Sequence, residues 1–149
     1  LGCFTAFVPE GRNGRSTQTG LKGMRSALGT ESEGPMLERF FQRATQPLPL
    51  SACPPSPLLK AISAEGRQRL DDDLILLETC RTLPRGWPSK ARVLVIQGEQ
   101  DAVVHPSCHQ QLLDQLGSQV ERIHRGPDWG HALITTEVLT VVERWIESL

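Results

Sequence analysis

The feature that most constrains this chain is Val93-Leu94-Val95-Ile96, a continuous apolar run with three β-branched residues, which ends a few residues later at Gly98. A run that is apolar at every position predicts a strand covered on both faces, as in a parallel sheet, because a strand with one wet face would alternate. The predicted strand covers Arg92 to Gln97. Pro106 then suits the first turn of a helix whose apolar face is Cys108, Leu112, Leu113 and Leu116, and Gly117 closes it. Gln119 to His124 reads as a second, shorter strand. A last helix sets Ile134, Val138, Val141, Val142 and Trp145 on one stripe made to lie on a sheet. Strand and helix alternate, so the expected class is α/β with a parallel sheet flanked by helices.

Upstream the pattern changes. Leu1 to Val8 is short and apolar and reads as a buried strand, broken by Pro9, Gly11 and Gly14 into a loop. Leu21, Met24 and Leu28, and then Met36, Leu37, Phe40 and Phe41, recur at helical spacing and predict two short helices. Pro47 to Pro57 holds five prolines and predicts an extended loop. A third helix is expected from about Ala64, with Leu70, Leu74 and Leu77 on one face. Pro84 to Ser89 is a linker. Three regions follow: a core strand over 1–9, a helical block over 10–83 and an α/β portion over 84–149.

Composition narrows the class of function. With 16 basic against 17 acidic residues and a formal charge of -1, no global field draws the chain to nucleic acid or an anionic membrane. No apolar run approaches the length needed to span a bilayer, and no secretory leader opens the chain. Cys3, Cys53, Cys80 and Cys108 are scattered without a CxxC pair, which fits a reducing, cytoplasmic setting rather than a disulfide framework. Leu1 opens the sequence directly inside an apolar segment, whereas termini are ordinarily polar, so further polypeptide is expected upstream.

Two loops carry the candidate chemistry. Gly98-Glu99-Gln100-Asp101 follows the first strand of the α/β portion, and Gly126-Pro127-Asp128-Trp129-Gly130-His131 follows the second. In an open parallel sheet both emerge at the carboxyl ends of their strands, where ligand crevices form. Asp101 and His131 are 30 residues apart, close to the span of one βαβ unit, about thirty residues. They are expected to meet. Asp128 is a nearer carboxylate in sequence, but it shares a loop with His131, and a partner from a separate strand end is the better geometric choice. Gly98 is expected to permit a tight exit from its strand, and Gly130 to leave room for substrate beside the imidazole. His105, Cys108 and His109 form an H-x-x-C-H cluster of zinc-type ligands. A structural site needs four ligands, and Pro106 sets His105 ahead of the helix that carries Cys108, so no metal is expected and both histidines are assigned to solvent.

The segments "VLVIQGEQD" (93–101), "VVHP" (103–106) and "WGHAL" (129–133) resemble the last two strand-loop elements of the α/β-hydrolase family. The resemblance covers Ala91 to Leu149 closely and the rest loosely. It implies the C-terminal portion of that fold with a helical cap, and a triad ordered serine, acid, histidine along the chain. Asp101 then matches the acid and His131 the base, with no cofactor. Trp129 is a candidate for lining the acyl pocket. No G-x-S-x-G occurs; Ser16 and Ser32 lie in a presumed loop and cap, so the nucleophile and oxyanion hole are expected upstream of Leu1. "LKGMRSAL", "MLERFFQRA" and "LLETCRTLP" are similar to the cap of the biotin-pathway esterases that act on pimeloyl-acyl-carrier-protein methyl ester. That resemblance implies a carboxylic ester, small or bound to an acyl carrier protein, as substrate, with Arg39 as the best-matching cap contact. The same fold also serves non-catalytic ligand binders and epoxide or carbon-carbon bond hydrolases, and these readings stay open.

Overall fold

The computed structural model describes residues 4–49, 62–133 and 135–149. Among them are five α-helices, namely α1 (Gly11–Ala27), α2 (Glu33–Thr45), α3 (Ala64–Thr79), α4 (Pro106–Leu116) and α5 (Thr136–Glu147), and two strands, β1 (Val93–Gly98) and β2 (Val120–Gly126). The strands pair in parallel from Val93 opposite Val120 to Gly98 opposite Gly126. The chain is therefore a mixed helix-and-strand protein with a small parallel sheet. No helix in the described residues is long and apolar enough to cross a membrane.

Helix α4 crosses from β1 to β2 as the alternating pattern requires. Pro106 opens it, the His105 side chain accepts from the Ser107 N–H as its cap, and Gly117 ends it at a φ of 52°. Parallel neighbours need such a crossover because a tight turn reverses chain direction. Pleat sends alternate β1 side chains to opposite faces. Val95 packs with Leu112 and Leu116 of α4, whereas Ile96 packs with Val138 of α5 and with Leu133. Both faces are covered, which is what the unbroken apolar run demanded.

The upstream block is helical as expected, with one correction at its start. Phe4 to Pro9 form no strand. Leu1 to Cys3 lie outside the described residues, as does most of the proline-rich stretch expected as a loop. Helix α1 begins at Gly11, earlier than the glycines suggested, because Gly14 serves close approach rather than a turn: a Cβ there would sit 2.0 Å from the Pro9 carbonyl oxygen. Val8, Leu21 and Leu74 form one small core, and Met36, Leu37 and Ile62 another. Ion pairs fasten the helices on the outside. Arg25 reaches Asp71 at 2.7 Å, and Arg67 grips Glu33 through two nitrogens at 2.6 and 2.9 Å. The paired guanidinium of Arg67, with the Gly29 N–H, holds the Glu33 carboxyl below its ordinary range.

Candidate functional site

The loops after β1 and β2 are sewn together by backbone. The Glu99 N–H donates to the Gly126 carbonyl at 3.0 Å and the Gln100 N–H to the Trp129 carbonyl at 2.9 Å. Gly98 makes this possible, since a Cβ there would lie 2.3 Å from the carbonyl oxygens of both Trp129 and Gly130. A turn closed by the Asp101 N–H on the Gly98 carbonyl, at 3.3 Å, then brings Asp101 round to face the second loop.

There Asp101 Oδ2 lies 3.0 Å from His131 Nδ1. The other carboxylate oxygen, Oδ1, accepts from the Val103 and Val104 N–H groups at 2.8 and 2.9 Å, an Asx-type turn that fixes its plane. The Asp101 side chain is 4% exposed and that of His131 24%, so the carboxylate is enclosed while the imidazole keeps access to solvent. Burial works against the charged carboxylate, but the nearby imidazoles of His109 and His131, with the hydrogen-bonding Val104 and Val103 amides, outweigh it and hold Asp101 well below the ordinary aspartate range. An ionised carboxylate only accepts, so in the neutral imidazole of His131 the proton sits on Nδ1 and Nε2 is the acceptor. The arrangement is an imidazole oriented by an enclosed carboxylate.

Helix α2 closes over both loops. Arg43 Nε donates to the Ala102 carbonyl at 2.5 Å, and the Ala132 N–H donates to the Ala44 carbonyl at 3.0 Å. Gly130 is therefore small for a reason other than substrate room: a Cβ would sit 1.6 Å from the Gln46 carbonyl oxygen, where the chain leaves α2.

The remaining expected residues lie elsewhere. Trp129 stacks with His124 at 5.3 Å, covers Gly126 and donates from Nε1 to Glu137 at 3.0 Å. It walls a cavity of about 570 Å³ whose lining includes neither Asp101 nor His131. Arg39 is exposed on α2, beside a groove of about 580 Å³ floored by Met24, Met36 and Phe40 and shared with Arg43. The H-x-x-C-H cluster points three ways. His105 meets Asn13 and Ser107 at 3.0 and 2.8 Å, and Cys108 is buried with Sγ 3.6 Å from the Phe7 carbonyl. His109 is not on the solvent face expected for it: at 9% exposure it is buried, with Nε2 3.5 Å from Asp101 Oδ2. It shares a stripe with Leu112 and Leu116, at spacings of three and seven, and that periodicity is the sequence signal that would have found it.

The chain matches no family model, and comparison with curated proteins and with solved structures returns no match.

Proposed function

We propose that Asp101 and His131 are the acid and base of a serine hydrolase of the α/β-hydrolase type, acting on a carboxylic ester through an acyl-serine intermediate. The observation that carries this reading is the 3.0 Å contact between His131 Nδ1 and an enclosed carboxylate. In such chemistry His131 Nε2 takes the proton of the attacking hydroxyl and returns it to the leaving alcohol, while Asp101 holds the tautomer and stabilises the imidazolium. The reading requires a nucleophilic serine and oxyanion-hole amides from polypeptide outside these 149 residues. It also treats the upstream helices as a cap over the site, an arrangement favoured by the two contacts of α2 with the Asp101 and His131 loops. Arg39 and Arg43 beside the α2 groove fit an ester carried on an acidic acyl-carrier protein, since exposed cations steer such a partner.

The test uses protein expressed from its complete reading frame and a fluorophosphonate probe, which labels only an activated serine. Labelling is expected in the wild type. His131→Gln is expected to abolish it, and Asp101→Asn to lower ester turnover by about four orders of magnitude. A wild-type protein that stays unlabelled while still binding an ester would favour the non-catalytic ligand-binding reading, to which the lack of G-x-S-x-G in these residues lends its support. Turnover without release of an alcohol and an acid would point instead to epoxide or carbon-carbon bond hydrolysis.

A further inference from the structure

Asp101 Oδ2 faces two imidazoles. His131 approaches it from one side at 3.0 Å, and His109 approaches from α4 with Nε2 at 3.5 Å. The second approach exceeds the 2.7–3.2 Å range of a formed N–H···O bond, and neither ring nitrogen of His109 has a hydrogen-bond partner among the described residues. Buried polar groups are ordinarily satisfied, so this imidazole needs an explanation. It lies at a cavity of about 340 Å³ behind the carboxylate, whose wall also includes Gln97, Val104, Leu113 and Arg125. The Gln97 Nε2 is likewise buried and has no partner among the described residues.

We propose, on the reading that Asp101 and His131 act as a pair, that His109 is a positioning residue that donates from Nε2 to Asp101 Oδ2 and holds that oxygen in line with His131. A shift of a few tenths of an ångström completes the bond. The carboxylate is then saturated, with Oδ1 taken by two amides and Oδ2 by two imidazoles. Water in the rear cavity cannot compete for Oδ2, and the Asp101–His131 bond keeps one geometry. His109 touches no reacting atom in this arrangement and acts only through Asp101.

The experiment compares wild type with His109→Leu, which fills similar space without a donor, and His109→Gln, whose amide nitrogen replaces Nε2. The readout is the proton resonance of His131 Nδ1–H, which is shifted far downfield when bonded to a carboxylate and is assigned by its loss in His131→Gln. Leu at 109 is expected to move this resonance upfield and speed its exchange with water while the far-ultraviolet circular dichroism stays unchanged; Gln is expected to restore it. In full-reading-frame protein, kcat is expected to fall by up to about a hundredfold with Leu and recover with Gln, at unchanged KM. A resonance indifferent to Leu overturns the inference and leaves the catalytic pair standing. Absence of the resonance from the wild type overturns both. Should His109→Leu unfold, His109→Ala takes its place: a folded Ala variant with the wild-type signal overturns the inference, and one with the upfield, fast-exchanging signal that Gln restores supports it.

Discussion

The Gln100 N–H donates to the Trp129 carbonyl at 2.9 Å, and through that bond the loop carrying Asp101 is tied to the loop carrying His131. A carboxylate and an imidazole on separate loops would otherwise each sample many positions. Backbone bonds are the stronger tether here, because they fix main chain rather than long side chains.

The first prediction concerns the glycine that allows this seam. Gly98→Ala places a methyl 2.3 Å from two carbonyl oxygens, and backbone cannot yield as a flexible side chain does. Overpacking of this kind costs about 1–3 kcal/mol, occasionally more. The urea midpoint is expected to fall accordingly, and the His131 Nδ1–H resonance to shift, since the two loops must separate. A stable Gly98→Ala protein with an unaltered resonance would mean that the seam does not position the pair.

Acid sensitivity follows from Asp101. Its folded-state pKa is depressed, so its contribution to stability is fully present above the unfolded aspartate value of about 3.9 and is lost as pH falls through the lower folded-state value. Asp101→Asn cannot carry that charge and leaves buried donors poorly matched, at about 1–3 kcal/mol near neutral pH. Chemical denaturation at a series of pH values is expected to show the gap between wild type and Asp101→Asn constant near neutrality and narrowing below about pH 4. A gap independent of acid would contradict the depressed pKa.

Arg43 offers a separable test of how α2 closes over the site. Its side chain is exposed, and its Nε bonds the Ala102 carbonyl next to Asp101. Arg43→Ala is expected to cost no more than about 1.5 kcal/mol of global stability. Amide hydrogen exchange, by contrast, is expected to accelerate locally across 99–104. Unchanged protection there would show that the contact carries no weight in solution.

Cysteine chemistry reports on packing between α4 and the chain before α1. Burial pushes the Cys108 thiol up, and its sulfur lies against the Phe7 carbonyl, whereas Cys80 is exposed. Iodoacetamide followed by peptide mapping is expected to modify Cys80 in the native state and Cys108 only in denaturant. Equal rates at both would place Cys108 in contact with solvent.

Much of the fold was legible because the relevant physics is local. Three features delimited β1, α4 and β2 to within a few residues: the β-branched run at 93–96, Pro106 at a helix start and Gly117 at its end. Helices α2 and α3 followed from their apolar spacing. The expected strand at the start failed over Phe4 to Pro9, since a short apolar run is equally consistent with irregular chain packed under helices. Gly14 and Gly130 were read as a breaker and as substrate space. Each instead marks a close approach by a carbonyl from a distant point, Pro9 or Gln46, which no local pattern encodes.

The same division runs through the site. Sequence by itself determined that Asp101 and His131 lie in the loops that follow adjacent parallel strands, because strand period, crossover length and loop position are properties of contiguous residues. Only the tertiary structure decided that Asp101 turns Oδ1 to its own backbone and Oδ2 to His131, that Trp129 is spent on Gly126 and Glu137, and that a third residue, His109, stands behind the carboxylate. These are contacts between side chains whose directions are set by packing, and packing is a collective outcome of the whole fold rather than of any segment.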